Sequence, residues 1–304
     1  MSTVYLGTSE FAVEVLERLA ATPHRPRLVV TRPDRSQGRG RRVQSPPVAE
    51  RARLLGIKTI QPEDVNAAEA RRAIADVEPD AVVICAYGAL IREPLLSEHE
   101  LLNVHTSLLP RWRGAAPIER AIAAGDEETG VTIMRPTAEL DAGPVCLQRS
   151  EAIAPDDDYG SLAGRLAALA GELLVEALDL SPPCREQPEE GVTYADKIES
   201  SDRFLDPSCA AGELERRVRA LTPHIGAYVE LPEGERLGVR RAKLAAGVDD
   251  VDPGTLEARN STLLYGAAQG ALELLEVHPE GGRAMSASDW LRGHRPECFP
   301  KRIP

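Results

Sequence analysis

The sequence is poor in aromatic residues. Phe, Trp and Tyr together make 4% of its 304 residues. Its core must therefore rest on Leu, Val, Ile and Ala, and stacking on bases can only be a minor device. No long apolar run is present. The longest, around Ala81–Ile91, is too short to span a bilayer. The start runs from Met1 straight into Val4-Tyr5-Leu6-Gly7, without the basic and apolar regions of a signal peptide. The five cysteines, Cys85, Cys146, Cys184, Cys209 and Cys298, are odd in number, far apart and without a C-x-x-C pair. That spacing argues against a disulfide framework or a cysteine zinc site, and a cytoplasmic protein is expected. Nor is there an excess of basic charge. Thirty-six Lys and Arg face 48 Asp and Glu, a formal charge of −12. This excludes a protein that coats nucleic acid or membrane with its whole surface, but not a local basic site.

What is present is globular: 42% hydrophobic and 28% charged, in a length that suits roughly two domains. Strand and helix patterns alternate over the first half. Val4–Leu6, Leu28–Thr31, Lys58–Ile60, Asp80–Ala86 and Leu101–His105 read as strands. Between them, Ser9 is placed to cap a helix over Phe11–Ala20, Pro46-Pro47 opens another, and Asn66 is placed to cap a third over Ala67–Asp76. Val131–Met134 and Val145–Arg149 read as successive antiparallel strands, and Tyr159–Leu178 as a long amphipathic helix. This order predicts an α/β fold with a doubly wound, mostly parallel Rossmann-like sheet, which binds ligands at the carboxyl ends of its strands. Near Leu180 the texture turns rich in Pro, Glu and Gly. Beyond it come one helix, Glu213–Leu221, and short apolar runs, which predict a small C-terminal β-barrel. The expected division is a domain over 1–180, a linker over 181–205 and the barrel over 206–304. Residues 1–205 carry a net −10 and residues 206–304 a net −2, so the second domain can more easily present a basic face to an anionic partner.

The most informative stretch begins Asn103-Val104-His105-Thr106-Ser107-Leu108-Leu109-Pro110. Strand alternation puts Asn103 and His105 on one face at a strand's carboxyl end. An imidazole can relay a proton near neutral pH, and an amide can donate to an oxygen that is gaining charge. Asp141, in the turn Leu140-Asp141-Ala142-Gly143, is placed to orient that imidazole. By pattern alone, a structural histidine and a plain turn aspartate are the commoner readings. No metal-spaced cluster appears.

The run continues Arg111-Trp112-Arg113-Gly114-Ala115-Ala116-Pro117-Ile118, then Gly130-Val131-Thr132-Ile133-Met134 and Leu140-Asp141-Ala142-Gly143. With Leu6-Gly7-Thr8-Ser9-Glu10-Phe11-Ala12, Ala86-Tyr87-Gly88 and Val192-Thr193-Tyr194-Ala195-Asp196-Lys197-Ile198, it resembles the methionyl-tRNA formyltransferase family along nearly the whole chain. The resemblance implies transfer of a formyl group from 10-formyltetrahydrofolate to the α-amine of methionine on initiator tRNA. It implies catalysis by Asn103, His105 and Asp141 without a metal, and a folate site beside Ser107, Leu108, Leu109 and Pro110. Thr106 stands where the family often has Gly, which touches the loop's geometry.

Arg32-Pro33-Asp34-Arg35-Ser36-Gln37-Gly38-Arg39-Gly40-Arg41-Arg42 is locally basic on an acidic protein. Arginine forks suit phosphates and guanine edges, and a solvated charge run is the plain alternative. The resemblance implies that Arg35, Arg39, Arg41 and Arg42 meet the acceptor stem of tRNA. It likewise makes the C-terminal domain an oligonucleotide-binding-type barrel. There Arg240, Arg241 and Lys243 on one strand, or Arg216, Arg217 and Arg219 on the helix before it, are placed to line a phosphate track. A monomer that meets no membrane is expected. Formyl transfer to a small amine, hydrolysis of the folate and silent RNA binding are the competing functions.

Overall fold

The computed structural model describes residues 1–37, 42–232 and 234–294. The chain divides into two compact units. One comprises residues 1–117, 128–152 and 163–195, and the other residues 118–127, 153–162 and 196–304.

The first unit is built on a seven-stranded sheet. Its strands are β1 (Thr3–Gly7), β2 (Pro26–Val30), β5 (Lys58–Ile60), β6 (Ala81–Cys85), β7 (Leu101–His105), β9 (Glu128–Met134) and β10 (Val145–Ala152), in the order β10-β9-β7-β6-β1-β2-β5. The five from β5 to β7 in that order run parallel, and β9 and β10 are antiparallel additions at one edge. Strands β1 and β6 are buried at every residue, which is why they read as unbroken apolar runs rather than as alternation. The mostly parallel sheet expected from the alternating pattern is thus observed. The chain winds outward from β1 to β2 and β5, then returns to β6 on the other side of β1. That reversal leaves a crevice at the carboxyl ends.

The helices follow local chemistry with one exception. In α1 (Glu10–Ala20) the Ser9 hydroxyl accepts from the Ala12 amide, and Val15, Leu16 and Leu19 are buried. Helix α2 (Pro47–Leu54) starts at its proline. Helix α3 (Ala68–Ala75) is not capped by Asn66. That side chain donates instead to the Leu90 carbonyl and accepts from the Arg92 amide, two partners that sequence spacing hides. Helix α4 (Leu95–Glu98) is a single turn. Of α6 (Tyr159–Leu180), the residues from Ala163 on belong to this unit. Two small sheets complete the unit. Strands β3 (Arg35–Gln37) and β4 (Arg42–Gln44) pair antiparallel, and β8 (Arg113–Gly114) pairs parallel with β11 (Tyr194–Ala195).

The cysteine expectation needs correction. Cys146 and Cys184 are joined by a disulfide, with Cα atoms 3.9 Å apart. Val145 and Arg185 exchange two backbone hydrogen bonds of 2.8 Å, so the segment after α6 lies along the edge of β10 and sets the next residues opposite each other. Sequence separation of 38 residues conceals this pairing. Cys85 stays a free thiol in the core, where burial pushes it up to about 12.

The second unit holds β12 (Ala227–Glu230), β13 (Arg236–Leu244), β14 (Leu256–Arg259), β15 (Thr262–Gly266), β16 (Ala271–Pro279) and β17 (Met285–Ser286). They form one antiparallel sheet in the order β12-β13-β16-β15-β14, with β17 on β16. Helices α7 (Ala211–Leu221) and α8 (Ala287–Gly293) close its core. Leu214, Val218, Leu221 and Trp290 pack with Val229, Leu237, Leu263, Leu272 and Val277. Each fully buried leucine or valine adds about 1.5–3 kcal/mol, which compensates for the scarcity of aromatics. The Tyr265 hydroxyl donates to the Leu205 carbonyl, so its polar end is satisfied within this core. Helix α5 (Pro117–Ala124) contributes to this unit through Arg120, whose guanidinium grips both carboxylate oxygens of Asp202 at 3.1 Å.

Candidate active site

Strand β7 ends at the carboxyl edge of the first unit's sheet and carries Asn103 and His105 on the same face. Its backbone is fixed from both sides, by β6 at Asn103 and by β9 at Asn103 and His105. His105 is buried, with 5% exposure, and Asn103 is partly open. The chain leaves the strand into a loop that turns back over it. Trp112 at its end has φ 61°, and its carbonyl lies 2.8 Å from His105 Nε2. A carbonyl can only accept, so Nε2 carries a proton and Nδ1 is the nitrogen left to take or release one.

Asp141 faces that second nitrogen. Its Oδ2 lies 3.7 Å from His105 Nδ1 and accepts from the Gly114 amide at 3.0 Å. Its Oδ1 accepts from Asn103 Nδ2 at 3.4 Å. Gly114 is required where it stands. Its φ is +126°, and a Cβ would come within 2.7 Å of the Ala195 carbonyl oxygen, across the β8–β11 pair. The three residues expected to act together are thus brought together, with Asn103 and Gly114 closer to Asp141 than His105 is. The Asn103 amide has two protons, and the contact with Asp141 uses one. The other remains for an oxygen arriving from outside.

The loop Ser107–Pro110 is pinned from β9 and β10. Thr132 Oγ1 donates to the Ser107 carbonyl at 2.6 Å and accepts from the Leu109 amide at 3.3 Å. Gln148 Nε2 donates to the Leu109 carbonyl at 3.0 Å. The Ser107 hydroxyl is spent on the Arg111 carbonyl, and Leu109 is buried. Leu108 and Pro110 are the partly open members, so the loop offers an apolar face and backbone more than a hydroxyl. Thr132, Gln148 and the Trp112 carbonyl were not singled out in the sequence. Thr132 lies two residues after Gly130 in a recognisable run, but neither glutamine nor a carbonyl leaves a pattern.

Of the basic segment, Arg35 is exposed on β3. Arg39 and Arg41 lie outside the described residues, and Arg42 is described by its backbone alone, in β4. On β13, Arg240 donates to the Pro223 carbonyl and Lys243 pairs with Glu273 at 3.0 Å, while Arg241 is exposed. The arginines of α7 do not form a free track. Arg216 donates to the Ala123 carbonyl, Arg217 to that of Phe204 and Arg219 to that of Asp157. Carbonyls at helix and turn ends are good acceptors for a guanidinium, and these contacts bind the helix into its unit.

Among the described residues, no cluster of three or more His, Cys, Asp or Glu is placed to hold a metal ion. None of their helices is long and apolar enough to cross a membrane.

Comparison with known proteins identifies the family. Residues 1–178 match the formyl transferase family, and residues 197–295 match the formyl transferase C-terminal domain. A methionyl-tRNA formyltransferase of Methylococcus capsulatus is 44% identical over 300 residues, which are 97% of each chain. Among solved structures, HypX from Aquifex aeolicus in complex with tetrahydrofolic acid superposes with a TM-score of 0.64 at 17% identity. The match covers 95% of this chain and 46% of that longer one. A methionyl-tRNA formyltransferase from Clostridium thermocellum gives a TM-score of 0.58 at 14% identity, covering 81% and 95%. These structures share the fold. The full-length sequence likeness goes further: the chain belongs to the methionyl-tRNA formyltransferase family.

Proposed function

We infer that this chain transfers a formyl group from 10-formyltetrahydrofolate to the α-amine of methionyl initiator tRNA, giving formylmethionyl-tRNA for translation initiation. The observation that carries this reading is sequence likeness over the full length, both units included. Leu108 and Pro110 give the loop after His105 partly open apolar side chains, and Asn103 and Asp141 are partly open as well, which suits a flat heterocycle that carries an activated acyl group. When bound, the folate supplies the formyl carbon at N10 and the nitrogen that leaves with a proton.

The protein's part is to place and to move protons. Asn103 Nδ2 donates to the formyl oxygen as charge builds there. His105 Nδ1 takes the proton that the attacking amine loses, with Nε2 held on the Trp112 carbonyl so that the ring cannot turn. Asp141 faces the ring and balances the charge it gains, and the Gly114 amide and Asn103 keep its carboxylate in place. The same pair can return the proton to the leaving nitrogen.

The basic segment, with Arg35, Arg39, Arg41 and Arg42, serves the acceptor stem, and Arg240, Arg241 and Lys243 serve the tRNA backbone. Catalysis belongs to 1–180 and tRNA binding to 206–304, joined through 181–205. The enzyme works as a monomer in the cytoplasm.

The test offers 10-formyltetrahydrofolate to the enzyme with methionyl-tRNA, free methionine, an amino sugar nucleotide and water as competing acceptors. Transfer to the charged tRNA alone is expected. Transfer to a small amine, or hydrolysis alone, overturns the assignment and leaves the fold.

A further inference from the structure

Gln187 lies in the stretch after α6 whose composition reads as a linker, yet its side chain makes four hydrogen bonds inside the first unit. Nε2 donates to the Asp141 carbonyl and to the Gly143 carbonyl, each at 2.8 Å. Oε1 accepts from Arg113 Nε at 3.0 Å and from Arg113 Nη2 at 2.9 Å. Two donors and two lone pairs are all that a glutamine amide has, so its bonding capacity is filled and its orientation is fixed.

The partners are those that set the Asp141 carboxylate. Asp141 is in the left-handed region, φ 46°, a conformation uncommon for a residue other than glycine and one that its surroundings must hold. The two donated bonds span this residue and Gly143. Gly143 itself is packed so closely that a Cβ would stand 1.9 Å from the Arg135 carbonyl oxygen. On the other side, Arg113 sits between Trp112, whose carbonyl holds His105 Nε2, and Gly114, whose amide holds Asp141 Oδ2. Gln187 therefore ties the turn that bears the carboxylate to Arg113, the residue between the carbonyl that holds the imidazole and the amide that holds the carboxylate. Its own segment is anchored by the Val145–Arg185 backbone pair and the Cys146–Cys184 bond.

We propose that Gln187 is a positioning residue for formyl transfer, which acts by holding Asp141 and β8 at the separation the His105–Asp141 pair requires. This rests on the catalytic reading of Asn103, His105 and Asp141. A misplacement of about 1 Å in such a pair costs on the order of 100-fold in rate.

The test is steady-state kinetics of Gln187→Glu and Gln187→Leu, with Asp141→Ala alongside. Glu keeps an acceptor for Arg113 but sets oxygen against the two carbonyls. Leu keeps the volume and removes every bond. Positioning predicts that both variants lose about 10–100-fold in kcat, with KM for tRNA and for folate within about twofold. A role confined to anchoring Arg113 predicts that Glu retains the parent kcat, and that result overturns the proposal. Loss expressed in KM alone overturns it too. Should Leu fail to fold, Glu decides. If Asp141→Ala keeps the parent kcat, the catalytic reading itself is wrong. If Asp141→Ala is slow and Gln187→Glu is not, only the role of Gln187 is wrong.

Discussion

His105 Nε2 lies 2.8 Å from the carbonyl oxygen of Trp112, and this contact decides which ring nitrogen is free for chemistry. The loop that supplies the carbonyl opens with Ser107–Pro110, the residues proposed to meet the folate. On the proposed mechanism, the loop that meets the substrate also holds the base. Trp112 reaches this position with a left-handed backbone, and its amide donates to Thr193 Oγ1 at 2.9 Å.

Asn103 is expected to matter through the oxygen it stabilises. Asn103→Ala removes both the donor to that oxygen and the contact with Asp141. A loss of about 100-fold in kcat follows, with folate KM little changed, as for a donor that acts in the transition state. Single-turnover rates at saturating folate measure it.

The basic segment is expected to act on tRNA alone. Replacing Arg39, Arg41 and Arg42 with Ala raises the KM for methionyl-tRNA and leaves folate KM unchanged. It also makes tRNA binding less sensitive to salt, because fewer phosphate contacts release fewer counterions. A titration of binding against salt concentration checks both parts. An unaltered tRNA KM and salt slope make the segment a solvated run.

How much of this was legible in the sequence varies with the physics involved. The strand alternation that pairs Asn103 with His105 is local, and it appears as read. Buried parallel strands announce themselves as apolar runs, as β6 does. Strand β14 leaves a weak signal in the sequence because its hairpin turns on Asn260 and Ser261, both at positive φ, without the glycine that marks such turns. Gln187 and the Cys146–Cys184 pair were hidden for another reason. Both depend on a Pro- and Glu-rich segment folding back along β10, and neither an isolated glutamine nor two distant cysteines has a period. Capping by Asn66 failed because competing backbone partners at Leu90 and Arg92 win its side chain.

The disulfide gives a stability prediction. Closing a loop of 38 residues is worth about 4 kcal/mol in the chain-entropy model. Reduction by a dithiol, or Cys184→Ser, is expected to lower the melting temperature. Dithiol then has no further effect on the variant. The Val145–Arg185 backbone pair persists, so kcat stays within about twofold, unlike that of the Gln187 variants. Calorimetry with and without dithiol, beside a kinetic assay, separates the two.

The Arg120–Asp202 pair makes the second unit sensitive to acid. Burial raises the Asp202 carboxyl, but the Arg120 fork, the Glu199 amide and nearby Arg217 outweigh it and hold the group below its ordinary range. A carboxylate lowered on folding contributes stability above its unfolded pKa and loses it as pH falls through the folded one. Asp202→Asn is therefore expected to be less stable than the parent at pH 7. The difference closes below the ordinary carboxylate range. Denaturant melts across the acid range test the convergence, and a constant gap contradicts it.

On the proposed mechanism, His105 does chemistry rather than hold substrate. The most direct measurement is single-turnover formyl transfer by His105→Ala, with methionyl-tRNA binding measured on the same protein by filter retention. Transfer reduced by about 100-fold or more, with tRNA affinity within about twofold of the parent, is the predicted result. Equal loss of transfer and of tRNA binding, or transfer at the parent rate, would mean that His105 does not carry the proton.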